Sequence, residues 1–452
     1  MIDLKKNKEN INKSVVRIFS EIISINPFIP FDHLPPKRSQ GTGFFIDNKG
    51  HILTCSHVVE SSINIIVDIP NISTQKYNCK LIYIVPEFDI ALLKIIDYKN
   101  KHFVEMGNSD DIEISNEVFA VGFPKSLNSN GGNNIKYTLG IISGHQEGLI
   151  QTDTPINSGN SGGPLFKDNY VIGINSKKLV GNDVSNIGYS IPINYFKNIK
   201  YNKSVIIHRP KLNCIINNTD NKICTSLADN NTGIYISKVY NNSIFDSIKK
   251  SNFILTKFDN YKIDNFGYLE KRWLGEKINI NHILNFYKSN SEINIEYYIN
   301  NKKYNKKIKL KDQKAVINYM YSNQENIDYL IIGGTIFMNL YLDHSTKIPI
   351  IKDINDLHEE KVIISYVLPN TKFNILNNIE TGSIIEEIND NKISSLNDIR
   401  KVLKKPFKIN KMDILKVKDT NNNVTMIDVK EIIKANKLLS KLYHFNSKNI
   451  LQ

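Results

Sequence analysis

The stretch TDTPINSGNSGGPLF, residues 152–166, is the most informative part of the sequence. Ser161 lies in a turn of small residues, and a proline and an apolar run follow it, which is typical of a turn that leads into a β-strand. Small neighbours leave room for a substrate carbonyl beside the serine hydroxyl. Backbone N–H groups of Gly159, Asn160 and Ser161 could converge on a developing oxyanion. The stretch therefore predicts a nucleophilic serine on a β fold.

A serine hydroxyl is a weak nucleophile unless a base accepts its proton, so Ser161 requires a histidine. Among the ten histidines, His57 has the most suitable setting, because in HILTCSHVVE, 51–60, it follows an apolar strand and two small residues. Asp89 in PEFDIALLKI, 86–95, directly precedes an apolar strand, and a partly buried carboxylate needs a partner. We predict a triad in which Ser161 attacks, His57 is the base and Asp89 fixes the histidine tautomer.

The turn also matches Gly-x-Ser-x-Gly, the nucleophile elbow of α/β-hydrolases. That fold requires the order serine, acid, histidine and places the serine between a strand and a helix. Here the order is His57, Asp89, Ser161, and Ser161 leads into a strand. The chain order excludes an α/β-hydrolase.

Short apolar runs alternate with Gly, Asn or Asp turns between residues 14 and 200; examples are VVRIF, GFFI, INIIVDI, LIYIV and YVIGI. Many short strands at this spacing are typical of an antiparallel β-barrel or sandwich. We predict a mostly β protein with one catalytic domain over 1–200.

The second part of the chain mixes helix and strand patterns and contains a faint repeat. The segment 236–265 resembles 364–395 in its succession of strand, helix and a strand that ends in an Asn or Asp turn. At about 150 residues per domain, 452 residues correspond to roughly three domains. We predict two small α+β domains, over 205–312 and 313–430, and a basic terminal helix and tail over 431–452.

Composition excludes several classes of protein. Hydrophobic residues are 41% and charged residues 23%, which is typical of globular proteins and not of disordered chains. No apolar run reaches the roughly 18 residues that span a bilayer as a helix, so we expect no integral membrane protein. The four cysteines form no CxxC pair. We expect reduced thiols, no metal and no cofactor.

The net charge of +13 lies almost entirely in the second part, since 1–200 has 20 basic and 19 acidic side chains, whereas 201–452 has 38 and 26. A basic surface can bind nucleic acid or acidic partners. The lysines are dispersed among asparagines and isoleucines, which favours a solvated surface, and we expect no nucleic acid partner. A nucleic-acid-associated protein is the alternative, with a steep salt dependence of binding as its signature.

The chain begins MIDLKKNKENINK, which carries charges of both signs. A secretory signal peptide would have an apolar core behind a basic start, and none follows here. From this we predict a cytoplasmic or nuclear protein.

With these residues the sequence resembles the HtrA/DegP family of serine proteases in the chymotrypsin-like superfamily. Its motifs occur in the family's order over nearly all of 14–197: GTGFFI, TCSHVV, FDIALLKI, AVGFP, TLGIISG, QTDTPINSGNSGGPLF, VIGINS and IGYSIPI. DYLIIGGTIFMNL looks like the opening of the second PDZ-like domain in plant Deg proteases with two such domains. The resemblance implies an ATP-independent serine endopeptidase with a chymotrypsin-like double β-barrel, followed by two small α+β PDZ-like domains.

The resemblance also implies roles and partners. His57, Asp89 and Ser161 would be the triad, and 159–161 the oxyanion loop. The family implies unfolded or extended polypeptide substrates and a homo-oligomer, a trimer or a multiple of trimers, to which the aromatic segment INPFIPF, 25–31, could contribute. A latent protease that acts as a chaperone-like peptide-binding protein is the alternative, because HtrA enzymes often rest with a collapsed oxyanion loop.

A specificity pocket is predicted beside the serine. Pro155, six residues before Ser161, stands where trypsin-like enzymes carry an acid. With Ile187 and Tyr189 it predicts an S1 pocket for small or medium apolar side chains.

Two peptide-binding loops are predicted in the second part. A PDZ domain binds an extended peptide by strand addition, and backbone N–H groups of a loop hold the terminal carboxylate. That loop would contain Leu212, Asn213 and Cys214 in the first copy, where Asn replaces the usual Gly, and Gly333 and Gly334 in the second. A structural or oligomer-contact role for both copies stays open.

Overall fold

The structure is a computed structural model that describes residues 4–124, 134–178, 187–228, 232–248, 252–345 and 358–445. The chain forms two compact units. The first contains Met1–Ile22 and Pro36–Lys314, and the second contains Ile23–Pro35 and Ala315–Gln452. The second unit starts close to the predicted domain start at 313, but the sequence did not indicate that it also contains Ile23–Pro35.

The first unit begins with a closed antiparallel β-barrel. After helix α1 (Leu4–Ser14), its strands are β1 (Val15–Ile22), β2 (Lys37–Phe45), β3 (His51–Cys55), β4 (Ser62–Asp68), β5 (Lys76–Val85) and β6 (Ile90–Ile95), in the spatial order β1-β2-β3-β6-β5-β4. A helical turn, α2 (Ser56–Val59), follows β3, and a 3-10 turn, Pro86–Phe88, precedes β6. Apolar strand residues such as Phe44 and Leu53 are fully buried and fill the barrel.

A second ring of strands follows in the same unit. The strands are β7 (Glu105–Met106), β8 (Glu117–Gly122), β9 (Lys136–Gln146), β10 (Leu149–Thr152), β11 (Pro164–Lys167), β12 (Tyr170–Lys178) and β13 (Gly188–Pro192). Strands β8 to β13 close the ring because β11 pairs with both β8 and β12, while β7 joins β12 in parallel. The short helix α3 (Ile193–Lys197) follows. The double β-barrel prediction is therefore confirmed.

The rest of the first unit is a smaller α+β region. Its main sheet has the order β14-β15-β16-β20-β21 with β17 beside β16, from β14 (Cys214–Asn217), β15 (Ile234–Val239), β16 (Phe253–Phe258), β17 (Tyr261–Lys262), β20 (Glu292–Ile299) and β21 (Lys302–Lys309). A separate hairpin consists of β18 (Tyr268–Trp273) and β19 (Glu276–Asn279). The helical segments are α4 (Asn221–Ala228), α5 (Ile280–Ile283) and a 3-10 turn, Leu284–Phe286.

One apolar core runs through the second barrel and this α+β region. Ile142 and Leu165 of the second barrel belong to the same buried cluster as Ile234 of β15. Trp273 of β18, the only tryptophan of the chain, is buried, and its Nε1 donates to the carbonyl of Ser109 at 3.0 Å. The α+β region is therefore fixed to the second barrel by buried contacts.

The second unit contains an antiparallel sheet with the order β22-β23-β24-β25-β28-β27. Its strands are β22 (Tyr329–Ile332), β23 (Thr335–Asn339), β24 (Val362–Val367), β25 (Ile384–Ile388), β26 (Asn391–Lys392), β27 (Lys408–Ile409), β28 (Met412–Asp419) and β29 (Val424–Asp428), with β26 beside β25 and β29 beside β28. Its helices are α6 (Leu342–Ser345), α7 (Lys372–Leu376), α8 (Leu396–Val402) and α9 (Val429–Tyr443). Of the predicted tail 431–452, the residues after 445 lie outside the described part of the chain.

Strands predominate in the described residues, which confirms the mostly β fold class. Within the same residues, no helix combines the length and the apolar composition that a membrane crossing requires.

Candidate active site

His57 and Asp89 meet at the adjoining ends of β3 and β6. His57 follows β3 in α2, and its Nδ1 lies 2.8 Å from Oδ2 and 3.0 Å from Oδ1 of Asp89. The backbone N–H of His57 also donates to Oδ1 at 3.0 Å. Asp89 ends the turn Pro86–Phe88 with φ at 55°, a left-handed conformation that Asp adopts more readily than most residues. This turn directs the carboxylate back at His57.

Ser176, at the end of the VIGINS motif, belongs to the site although the sequence analysis did not single it out. Its Oγ donates to Oδ2 of Asp89 at 2.6 Å, and its carbonyl accepts the Ser161 hydroxyl at 3.0 Å. Only the pairing of β12 with β11 places this ordinary-looking serine beside Ser161. Ser176 therefore links Ser161 to Asp89.

The Asp89 carboxyl is stabilised in its charged form. Burial raises the pKa of Asp89, but the hydrogen bonds from His57 and Ser176 and the attraction of the His57 ring outweigh it, and the pKa lies below its usual value. A charged Asp89 can hold a proton on Nδ1 of His57, which leaves the lone pair of the ring on Nε2.

Ser161 lies in a turn between β10 and β11 that uses glycines at positive φ, 98° at Gly159 and 85° at Gly162. The Asn160 N–H, which the sequence analysis included in the oxyanion loop, donates to the Asn157 carbonyl at 2.9 Å. Among the described residues, the N–H groups of Gly159 and Ser161 have no acceptor. These two amides can therefore donate to a bound oxyanion.

The thiol of Cys55 lies close to the His57–Asp89 pair. Ligand atoms of Cys55, His57 and Asp89 lie within 4.8 Å of one another, the only such cluster of potential metal ligands in the described part of the chain. Cys55 is fully buried, and burial together with nearby Asp89 raises the pKa of its thiol, which disfavours the thiolate that binds metals. Since His57 and Asp89 also bond each other, the arrangement fits acid–base chemistry better than a metal centre.

The three residues predicted to line the S1 pocket lie in different environments. Pro155 is exposed, and Ile187 is partly buried just before β13. Tyr189 is buried, and its hydroxyl donates to Oε1 of Gln146 at 2.6 Å. The Tyr189 side chain is therefore held by a hydrogen bond to the end of β9.

The other face of β13 packs against the segment that leads to Ser161. Because side chains alternate along a strand, Gly188 faces away from the side of Tyr189. A Cβ atom on Gly188 would lie 2.8 Å from Cδ1 of Ile156, which is itself buried. Sequence reasoning passed over both residues, although Ile156 is the apolar neighbour of Pro155.

The predicted loop of the first PDZ-like copy lies next to a free strand edge. Leu212 is buried, Asn213 has φ at 41°, and Cys214 begins β14. The carbonyl of Asn213 accepts the N–H of Tyr240 at 3.0 Å, which fixes the loop to the unit. Within the described residues, β14 pairs only with β15, so its outer edge has the geometry that strand addition needs.

The predicted loop of the second copy is closed. Gly333 and Gly334, with φ at 60° and 86°, form the two-residue turn of the hairpin β22–β23. The N–H of Gly333 donates to Oδ1 of Asn436 in α9 at 2.8 Å, and β23 pairs with β22 on one side and β24 on the other. No edge of β23 remains for a peptide strand. Two glycines between apolar runs were the sequence signal for this hairpin.

The aromatic segment 25–31 packs inside the second unit. The Phe31 ring lies within about 6 Å of three others: 6.2 Å from Tyr329, 6.3 Å from Tyr443 and 5.9 Å from Phe445. Buried His344 donates from Nε2 to the carbonyl of Pro27 at 2.8 Å. These contacts lie within one chain, so a trimer through this segment stays a prediction.

Comparison with known sequences agrees with this geometry. Residues 41–174 match the family described as trypsin-like peptidase domain. The chain is 27% identical to the putative protease Do-like 3, mitochondrial, of Arabidopsis thaliana, over 86% of this chain and 72% of that protein. It is 26% identical to the probable periplasmic serine endoprotease DegP-like of a Marinomonas species, over 89% of this chain and 81% of that protein.

Comparison with solved structures supports the fold. An HtrA-type protease solved with a decapeptide superimposes with a TM-score of 0.51 at 21% identity, covering 68% of this chain and 98% of the other. At this identity the likeness concerns the fold alone.

The predicted cytoplasmic or nuclear location is wrong, because the relatives that align over most of the chain are named as mitochondrial and periplasmic proteins. The lack of an apolar signal-peptide core was a poor criterion for predicting where the protein is located. Organelle transit peptides are amphipathic and have no such core, so its absence could not exclude import into an organelle.

Proposed function

We propose that His57, Asp89 and Ser161 are the catalytic triad of this chain, a serine endopeptidase similar to the HtrA/DegP proteases. The observation that carries the proposal is a continuous series of hydrogen bonds from Ser161 through Ser176 and Asp89 to His57. The peptide bond of a polypeptide substrate is cleaved through an acyl-enzyme on Ser161.

Attack begins at the Ser161 hydroxyl. In this structure the hydroxyl donates to the Ser176 carbonyl, so it must turn toward Nε2 of His57 when substrate binds. Catalytic hydrogen bonds often tighten only in the substrate complex. The His57 side chain is 43% exposed, which makes the base accessible from the substrate side. Asp89 keeps the ring in the tautomer that can accept the proton.

The tetrahedral intermediate carries a negative oxygen. The N–H groups of Gly159 and Ser161 are the proposed donors to it. Loss of one such donor raises the barrier by roughly 2.7–4 kcal/mol in known enzymes, so the turn contributes as much as the side chains. His57 then gives its proton to the leaving amine, and water releases the acyl group with His57 again as the base.

For substrate preference, we propose small or medium apolar side chains before the scissile bond. Ile156 and Gly188 pack together beside the Ser161 turn, and residues 154–161 contain no acidic side chain. A basic side chain would lose water there without gaining a counter-charge.

For the rest of the chain, we propose two PDZ-like domains, 205–312 and 313–430, with different roles. The first has a free edge at β14 and is the candidate for binding an extended peptide. The second has a closed hairpin turn at Gly333 and Gly334, which supports a structural role.

Serine labelling tests the proposal. Wild type should hydrolyse peptides and react with a fluorophosphonate, and Ser161→Ala should do neither, because the nucleophile is gone while no large cavity opens. Ser158→Ala is the matched control, since Ser158 is an exposed serine of the same turn and should keep both activities. Cleavage by purified Ser161→Ala would contradict the assignment.

A latent peptide-binding protein is the second candidate, favoured by the Ser161 hydroxyl being bonded to Ser176 in this structure. In that case wild type would resist the fluorophosphonate yet suppress aggregation of an unfolded protein. Fast labelling of Ser161 would exclude this candidate.

A further inference from the structure

Thr42 of β2 contacts the Ser161 turn at two points. Its backbone N–H donates to the Ser161 carbonyl at 2.9 Å, and its Oγ1 donates to the Gly159 carbonyl at 2.7 Å. The side chain is fully buried. Thr42 therefore binds the carbonyls of the two residues whose N–H groups are the proposed oxyanion donors.

The direction of the hydroxyl hydrogen is fixed by a third partner. The N–H of Phe123 donates to Oγ1 of Thr42 at 2.9 Å. An N–H group can only donate, so Oγ1 is the acceptor in that bond, and its single hydrogen points at the Gly159 carbonyl.

These bonds hold the two peptide groups on either side of the Ser161 N–H. The group between Gly159 and Asn160 is fixed at its oxygen by Thr42 and at its N–H by Asn157. The group between Ser161 and Gly162 is fixed at its oxygen by Thr42 and at its N–H by the Asn175 carbonyl, at 2.7 Å. The peptide group that carries the Ser161 N–H lies between them, and its own oxygen, the Asn160 carbonyl, accepts the Gly163 N–H at 3.0 Å. Thr42 therefore fixes the two peptide groups on either side of it.

The turn needs an external support of this kind. Gly159 and Gly162 allow backbone conformations that other residues do not, so the turn has other accessible orientations. Asn160 is buried in the turn, but its Oδ1 has no hydrogen-bond partner among the described residues, so this oxygen does not hold the turn.

We propose that Thr42 is a positioning residue for hydrolysis, whose hydroxyl sets the orientation of the oxyanion donors Gly159 and Ser161. This inference rests on the proposed function. The acid–base series His57, Asp89 and Ser176 does not include Thr42, so the hydroxyl should affect the stabilisation of the oxyanion and leave proton transfer unchanged.

The test compares Thr42→Val, which keeps the shape, with Thr42→Ser, which keeps the hydroxyl. On a peptide p-nitroanilide ending in Val, we expect Thr42→Val to lower kcat by about 10- to 100-fold, somewhat less than the loss of a whole donor. KM and the pH midpoint of kcat/KM should stay unchanged. Affinity for a peptide boronic acid of the same sequence, which forms a tetrahedral adduct, should fall by the same factor as kcat/KM. Thr42→Ser should remain within about threefold of wild type.

The matched control is Thr256→Val. Thr256 is also buried, and its hydroxyl donates to Glu296, whose Oε1 lies at 3.0 Å and whose carbonyl oxygen lies at 3.2 Å, in the α+β region far along the chain from the turn. Loss of the Thr256 hydroxyl should leave kcat unchanged. If Thr42→Val does not fold, Thr42→Ala assayed below its melting temperature replaces it. Equal losses in Thr42→Ser and Thr42→Val, or a normal kcat in Thr42→Val, would overturn the proposal.

Hydrogen exchange over residues 156–163 separates this proposal from the proposed function. Faster exchange in Thr42→Val than in wild type and Thr256→Val is expected whether or not the protein cleaves peptides. If wild type cleaves nothing but this difference appears, the proposed function fails and the positioning contact stands. Unchanged exchange would contradict the positioning role.

Discussion

Two turns of this chain each contain a pair of glycines at positive φ, but they differ in which backbone groups are left available. Gly159 and Gly162 flank the serine in the first unit, and Gly333 with Gly334 forms the turn in the second. In the first turn, the N–H groups of Gly159 and Ser161 have no acceptor among the described residues. In the second, the N–H of Gly333 is bonded to Asn436.

The difference comes from what the rest of the chain brings to each turn. Thr42 of β2 bonds the carbonyls of Gly159 and Ser161 in the first turn, and the N–H groups of these two residues stay available. Helix α9 approaches the second turn and bonds an N–H instead, with Leu439 close to Gly334. Whether a glycine turn can bind an anion therefore depends on whether its neighbours contact its oxygens or its N–H groups.

The largest expected effect concerns Asp89, which contacts His57 beside the first turn. Asp89→Asn should lower kcat by about 10⁴-fold, because the amide favours the wrong tautomer of His57, while the fold is kept. The matched control is Asp47→Asn, since Asp47 Oδ2 lies 2.7 Å from Nδ1 of His51 in the same barrel. Its kcat should stay within a few-fold of wild type. Full activity in Asp89→Asn, or equal losses in both variants, would show that the acid lies elsewhere.

Much of the site was predictable because its signals are local. Ser161 stands in a distinctive turn, and His57 and Asp89 each adjoin an apolar strand. Ser176 carries no local signal, since its role depends on a strand pairing. The closure of the second turn depends on Asn436, which is 103 residues from Gly333. Contacts at such distances follow from the tertiary packing and cannot be inferred from a sequence pattern.

An added methyl group should break either turn, with different consequences. At Gly162, φ is 85° and a Cβ would lie 2.1 Å from Oγ1 of Thr54; at Gly334, φ is 86° and a Cβ would lie 2.3 Å from Cγ2 of Thr371. Gly162→Ala should lower kcat by about 10²- to 10³-fold, because it displaces the neighbouring Ser161 N–H donor. Gly334→Ala should destabilise the second unit by about 2–4 kcal/mol, from backbone strain and overpacking, and leave kcat unchanged.

Hydrogen exchange of each unit, together with kcat, measures both effects. Gly275→Ala is the control for strain alone, because φ is 80° there and the nearest atom to a Cβ is 4.0 Å away. Gly275→Ala should lower the free energy of unfolding by about 1–2 kcal/mol. A Gly334→Ala protein with unchanged exchange in the second unit would mean that the turn is not tightly packed.

The smallest expected effect is a dependence of stability on pH. It should differ between Asp89 in the first unit and His344 in the second. Folding lowers the pKa of Asp89, so its stabilisation is present above the unfolded value and is lost only as the pH falls below the ordinary carboxyl range. Burial lowers the pKa of His344 to about 4, partly offset by its bond to Pro27. Folded His344 therefore stays neutral at a pH where the unfolded histidine takes a proton, and stability falls as the pH drops from about 6.5 toward 4.

Mild acid should therefore destabilise the second unit and leave the Asp89 carboxylate charged. Each pH unit below about 6.5 should cost the second unit about 1.4 kcal/mol, or roughly 2 kcal/mol at pH 5. Burial raises the pKa of neighbouring Asp343, which opposes this loss as that carboxyl takes up its proton. Hydrogen exchange of 315–345 and 358–445 at pH 7 and pH 5, corrected for intrinsic rates, measures the loss.

The control variant is His344→Gln, whose side chain does not titrate. Its amide can still donate to the Pro27 carbonyl and accept the Tyr341 N–H, which Nδ1 of His344 accepts at 3.0 Å. The acid sensitivity should disappear in that variant, and an equal loss in both proteins would assign it to another group.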